Sequence, residues 1–213
     1  MLHDVDVHDI IIGKLLSFKK VPSHAYQILN TPYLPEKRYE FWEKTIIIPA
    51  QMNWENVHKI NFSCTIETKL RSFYFKLFHK AIALNDFLHK IKRKDSPNCT
   101  FCDKHEETVV HLFCDCEKVM PIWEFLLQIL QQKYDANYIF THFYKLFGVP
   151  SDKFVTYLIL LVKYYIYTCK YKNDLPNVSV FKSFIKKQKE IEYYLAKKKN
   201  KLPIHFRKWR FEI

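Results

Sequence analysis

A chain of 213 residues with 34 Lys and Arg against 22 Asp and Glu, a formal net charge of +12 and a sequence pI near 9.3, is long enough for one core of ordinary size or for a small module joined to a larger helical one. Hydrophobic residues make up 48% and aromatic residues 17% of the chain, which excludes global disorder. Its two glycines, Gly13 and Gly148, leave almost no positions for tight positive-φ turns, so hairpin-rich folds, phosphate-cradling loops and dinucleotide fingerprints are excluded and an all-α, mainly helical fold is expected.

The positive charge points to an anionic partner, of which nucleic acid is the commonest for an intracellular basic domain. Four of the six cysteines cluster between positions 99 and 116, while Cys64 and Cys169 stand alone. No apolar stretch follows a basic leader, so a reducing compartment is expected. The most apolar run, Phe154 to Cys169, is shorter than the roughly 20 residues of a membrane span and is interrupted by Lys163. It reads as a buried helix, and no membrane partner is expected.

In chain order, residues 1–60 contain short apolar runs punctuated by Pro22, Pro32, Pro35 and Pro49, which predicts short helices and connectors. The opening His3-Asp4-Val5-Asp6-Val7-His8-Asp9 carries metal-ligating residue types but reads as a solvated leader. From Lys69 onward, Leu70, Phe73, Leu77, Ala81, Leu84 and Leu88 recur at spacings of three and four, the pattern of an amphipathic helix with one buried face. Asn85-Asp86 is a candidate cap for a second helical piece after a bend. On the opposite face Lys76 and Lys80, followed by Lys92, Arg93 and Lys94, are candidate phosphate contacts, though a charged face is commonly just the solvated one.

Cys99-Thr100-Phe101-Cys102 is followed by His111 and then Cys116. A Cys-x-x-Cys turn points two thiolates at one centre, and a His and a Cys beyond it can complete a tetrahedron. Thiolates select zinc over calcium or magnesium, and four protein ligands leave no open position for a water, so one structural zinc is expected, in a small zinc-knuckle-like segment between helices. Spacing alone leaves Cys114 and His105 open as alternative ligands, and a redox Cys-x-x-Cys as a competitor that explains neither His111 nor Cys116. The segment from Pro97 to Val119 is too small to bury a core of its own, so its folding is expected to depend on the metal.

Further on, Val119 to Lys133 reads as a helix with Trp123, Leu126, Leu127 and Leu130 on one face and Pro121 in its first turn. Phe154 to Lys170 and Val178 to Lys199 read as an antiparallel helical pair joined by the turn-forming Asn173-Asp174-Leu175-Pro176-Asn177. From Lys182 to Arg210 there are eleven Lys or Arg against only Glu190 and Glu192. Lys186, Lys187, Lys197, Lys198 and Lys199 are the candidate nucleic-acid contacts here. Phe184, Tyr193, Tyr194, Phe206 and Trp209 have the residue type that stacks on unpaired bases, and equally the type that fills a core.

The stretch from Lys69-Leu70-Arg71 through Asn85-Asp86-Phe87-Leu88, then Cys99-Thr100-Phe101-Cys102, Glu106-Glu107-Thr108 and His111-Leu112-Phe113 to Cys116, resembles the zinc-binding region of non-LTR (LINE-type) retrotransposon reverse transcriptases. The resemblance covers about residues 45–125 and extends to Lys163-Tyr164-Tyr165-Ile166-Tyr167 and Trp209, which look like the family's closing helices. It implies that Cys99, Cys102, His111 and Cys116 hold zinc, and that Glu107 and Thr108 are the acidic-Thr pair leading into the His-bearing helix. The chain departs from the family in having Cys at 114 and Glu at 117, which keeps Cys114 in play beside Cys116. The resemblance also implies a region downstream of a polymerase, near the C-terminal end of such a polyprotein, and, together with the short run Lys197-Lys198-Lys199, a nuclear or cytoplasmic location.

The chain has no Asp-Asp pair of the kind polymerase palms use to hold magnesium, so no polymerase or other enzymatic activity is expected of it. The expected organisation is a linker region over 1–60, a reverse-transcriptase zinc-binding domain over 61–135 and a C-terminal helical region with a basic tail over 136–213. The expected function is RNA or DNA binding with little sequence preference, beside an upstream reverse-transcriptase region. The competing expectations are a zinc-stapled scaffold that docks on a polymerase and a decayed retroelement fragment.

Overall fold

The computed structural model describes residues 36–134 and 139–211; the His3 to Asp9 cluster and most of the expected linker lie outside the described residues. The chain divides into two compact units, 1–45 and 46–213. In the first, the described part is helix α1, Glu36–Thr45. The second holds α2 (Trp54–Ser63), α3 (Thr68–Phe78), α4 (Asn85–Lys90), a π-helical turn (His111–Asp115), α5 (Met120–Tyr134), α6 (His142–Phe147), α7 (Lys153–Lys172), α8 (Val178–Lys198) and α9 (Leu202–Lys208). Among the described residues the fold is all-α, with a single antiparallel bridge, Asn98 to Glu106, and no strand.

α7 is the hub of the second unit. Every residue from Val155 to Lys163 is buried, together with Tyr165, Ile166 and Cys169, because α2, α3, α5, α6 and α8 all pack against it. A helix apolar nearly all round belongs in an interior. No helix among the described residues is long and apolar enough to cross a membrane. Asp152 caps its first turn by accepting from the amides of Phe154 and Val155, and Asn173 ends it in the left-handed conformation at φ 57°. Asn177 then opens α8 by accepting from Ser179 and Val180, so the turn residues do what their types suggest. The two long helices meet where Tyr165 lies 5.0 Å from Phe181, and α8 also packs on α5 and α9.

Gly148 ends α6 at φ 80°, and a Cβ there would stand 2.5 Å from Thr156 Cγ2 on α7. The close approach lets Thr156 Oγ1 accept from the Val149 amide and donate to its carbonyl, which locks the α6–α7 corner. At the same corner, Asn61 of α2 donates to the Phe147 carbonyl at 2.6 Å, and Trp54 packs 5.2 Å from Phe147.

Two local expectations change. The second helical piece does begin at Asn85, but the first helix ends earlier than the bend expected there: α3 stops at Phe78, Lys80 takes φ 56°, and Ala81 is exposed although Leu84 is buried. Asn85 is not a cap. Leu84 holds that position, and Asn85 is the first residue of α4, with its side chain buried elsewhere.

Candidate metal centre

Residues 97–107 double back on themselves, with the Glu107 amide donating to the Pro97 carbonyl and the Cys99 amide to the His105 carbonyl, each at 2.8 Å. At the tip Asp103 is left-handed at φ 56°, and its amide closes on the Cys99 carbonyl at 2.9 Å. This knuckle points Cys99 and Cys102 the same way. The opposite wall begins at Thr108, whose hydroxyl accepts from the His111 amide at 3.1 Å and whose carbonyl accepts from Leu112, as an N-cap does.

The next turn is π-helical, and that decides the fourth ligand. In an α-helix, residues five apart are about 140° apart around the axis and cannot serve one centre. Here the Cys116 amide bonds back to the His111 carbonyl at 2.8 Å, the widened turn brings Cys116 round beside His111, and Cys116 then leaves in an extended conformation. The turn is fastened outside by Trp123 Nε1 to the Phe113 carbonyl at 2.8 Å, by Lys145 Nζ to the Cys114 carbonyl at 2.9 Å, and by His142 to Asp115 at 2.7 Å.

The ligand atoms of Cys99, Cys102, His111 and Cys116 all lie within 4.8 Å of one another. Cys99 Sγ and Cys116 Sγ are 3.8 Å apart, and Cys102 Sγ is 3.3 Å from His111 Nε2. Zinc–thiolate bonds of about 2.3 Å give a tetrahedral sulfur–sulfur edge of about 3.8 Å, so these residues fit zinc and leave no position for a substrate. Cys99 and Cys116 are buried, while Cys102 and His111 are part-buried. Without metal, the hydrogen bond between Cys116 and Cys99 pulls the Cys99 thiol down to about 5, helped by the amides of Cys102 and Phe101, and pushes Cys116 up. The pair thus shares a proton that a metal ion would displace.

Neither alternative ligand joins the cluster. Cys114 faces the core, where burial pushes its thiol up to about 12, and His105 is exposed with its ring 5.2 Å from that of His111.

Behind the knuckle sits a buried polar network. Glu107, wholly buried, accepts from the Asn85 amide at 2.9 Å and from the Thr100 amide at 2.7 Å, and pairs with Lys170 of α7 at 2.8 Å. Asn85 donates to the Asn98 carbonyl and accepts from Lys170 at 3.1 Å and Lys94 at 2.9 Å. Glu107 therefore supplies the N-terminal acceptor that α4 lacks locally, and ties α4, the Cys-x-x-Cys turn and α7 together. Sequence reasoning missed Lys170, which looked like one more cation at the end of an apolar helix.

The sequence-predicted basic residues are all exposed: Lys76 on α3, Lys80 after it, Lys92, Arg93 and Lys94 beyond α4, and Lys186, Lys187, Lys197, Lys198 and Lys199 on α8 and at its end. Of the candidate stacking aromatics, Trp209 is core, its Nε1 donating to Glu192 at 2.7 Å; Phe184 and Tyr193 are half-buried; Tyr194 and Phe206 are exposed.

A closed Cys3His centre held between a knuckle and a helical turn defines a module organised around one structural zinc ion. Residues 36–123 match the family described as zinc-binding in reverse transcriptase. No curated protein and no solved structure matches the chain.

Proposed function

We propose that the chain is a zinc-stabilised nucleic-acid-binding module of a LINE-type element, without polymerase activity of its own, that holds RNA or DNA beside a reverse transcriptase in the nucleus or cytoplasm. One observation carries this reading: on α8 and its C-terminal cap, Lys186, Lys187, Lys197, Lys198 and Lys199 are exposed, and none is ion-paired among the described residues. Unneutralised lysines along a helix suit a phosphate backbone, which binds through counterion release and without base preference. The zinc has a structural part in this, holding the knuckle against the helices.

The test is the salt dependence of nucleic-acid affinity. Each phosphate contact contributes about −0.9 to the log–log slope on duplex DNA and about −0.7 on single strands. Replacing Lys186, Lys187, Lys197 and Lys198 with Gln is expected to shallow the slope by about 3–4 while leaving zinc content unchanged. An unchanged slope, or no nucleic-acid binding by the wild type, would overturn the reading.

A second reading, docking on an upstream polymerase region, is favoured by Phe62 on α2, Ile66 just beyond it and Phe75 on α3, all exposed apolar side chains of the N-terminal helices. It predicts concentration-dependent association of the isolated chain in size-exclusion chromatography. A monodisperse chain would count against it.

A further inference from the structure

Between α8 and α9 lies a cleft of about 760 Å³ whose lining includes Lys186, Lys189, Glu190, Tyr194, His205 and Phe206. It lies outside the family-matched segment and far along the chain from the zinc ligands. α9 is fixed in place at its far end, where Lys208 pairs with Glu192 at 2.7 Å and Trp209 donates to the same carboxylate. The walls are therefore held by packing and hydrogen bonds and do not depend on an occupant.

Three properties of the lining converge. Tyr194 and Phe206 are 65% and 60% exposed and both line the cleft, so two aromatic rings are open to a ligand there. Lys186 and Lys189 stand beside them, with Glu190 as the one carboxylate among the described lining residues, and this balance favours an anionic ligand. His205 is 5% exposed, and its Nδ1 has no hydrogen-bond partner among the described residues. His205 nonetheless brings an imidazole to the lining, a polar group beside the aromatic rings for a ligand that has a polar edge beside its flat face. The volume is in the range of about 300–1,000 Å³ typical of small-ligand pockets.

A flat face, a polar edge and a nearby anion together describe a nucleotide. We propose that this cleft receives an unpaired nucleotide of a single strand, its base stacked on Tyr194 and Phe206, its edge toward His205 and its phosphates at Lys186 and Lys189. The proposal rests on the nucleic-acid-binding reading and adds to it a preference for unpaired over paired strands. In a duplex the bases are already stacked on one another and cannot enter.

The experiment uses the full zinc-loaded chain and two labelled probes, a short oligothymidylate and a hairpin duplex, titrated by fluorescence anisotropy at one salt concentration. Wild type is expected to bind the single strand more tightly. The Tyr194→Ala, Phe206→Ala double variant is expected to lose about tenfold or more on the single strand, with duplex affinity and the circular dichroism spectrum unchanged. Equal wild-type affinity for the two probes, or a variant that keeps full single-strand affinity or loses both alike, would overturn the cleft proposal and leave the basic-surface reading standing. Failure of wild type to bind either probe would overturn both.

Discussion

Replacing Glu107 with Gln probes the polar network that seats the zinc knuckle on the helical body. One carboxylate oxygen accepts from the Asn85 amide and faces the Lys170 ammonium, and the other accepts from the Thr100 amide. A carboxamide has one acceptor oxygen and one NH2 group, so either orientation sets donor against donor and leaves Lys170, whose side chain is 9% exposed, without its counter-charge. Breaking a buried pair from one side costs about 3–5 kcal/mol, which for a chain of this size lowers the melting temperature by about 6–20 °C. The assay is thermal and urea unfolding in excess zinc, with Glu107→Gln alone and combined with Lys170→Met. The double variant removes the stranded ammonium and should recover about 1 kcal/mol or more of the loss. A single variant that loses less than about 1 kcal/mol would refute the network's structural role.

Three further outcomes are expected. Lys163 is buried in α7 with its ammonium bonded to the Leu146 carbonyl, and burial lowers its pKa to about 7. The unfolded chain, with an ordinary Lys near about 10.4, binds that proton more tightly, so between about pH 7 and pH 10 stability should rise with pH by up to about 1.4 kcal/mol per unit; below about pH 7 the penalty is fully present and constant. Lys163→Met should remove this slope from urea titrations run across that window, and an identical slope in the variant would contradict the assignment. Gly148→Ala should cost about 2 kcal/mol or more in chemical denaturation, from the left-handed φ and the 2.5 Å approach to Thr156; a cost under about 0.5 kcal/mol would show that the α6–α7 corner is not tight. Chelation should speed amide exchange first in residues 97–119 while α7 stays protected, and simultaneous loss of protection in both would mean that the knuckle and core are one cooperative unit.

Much of this architecture could be read from the chain, for a definite reason. The observed bounds of α5, α7 and α8 lie within two residues of those the hydrophobic spacing predicts, because each is long and ends on strong signals, Asp152 and Asn177 as caps and Asn173 as a left-handed stop. The short helices α6 and α9 are too brief to show periodicity, and the break after α3 is hidden because Leu84 keeps the helical spacing across it. At the metal centre the Cys-x-x-Cys spacing and the residues beyond it gave the cluster, but the choice between Cys114 and Cys116 turns on a π-helical turn, which leaves no mark in the spacing. The Glu107–Lys170 pair joins residues far apart in sequence and was beyond any local pattern. The resemblance to reverse-transcriptase zinc-binding regions pointed to Glu107 without giving its physical role, which is to cap α4 and hold α7 against the knuckle.

Cys99, Cys102, His111 and Cys116 hold one zinc ion, and elemental analysis of the purified chain tests this. Wild type and Cys114→Ser should each carry one zinc per chain, and the Cys99→Ser, Cys116→Ser double variant should carry none. A wild-type chain without zinc, or zinc kept by the double variant and lost by Cys114→Ser, would contradict the site.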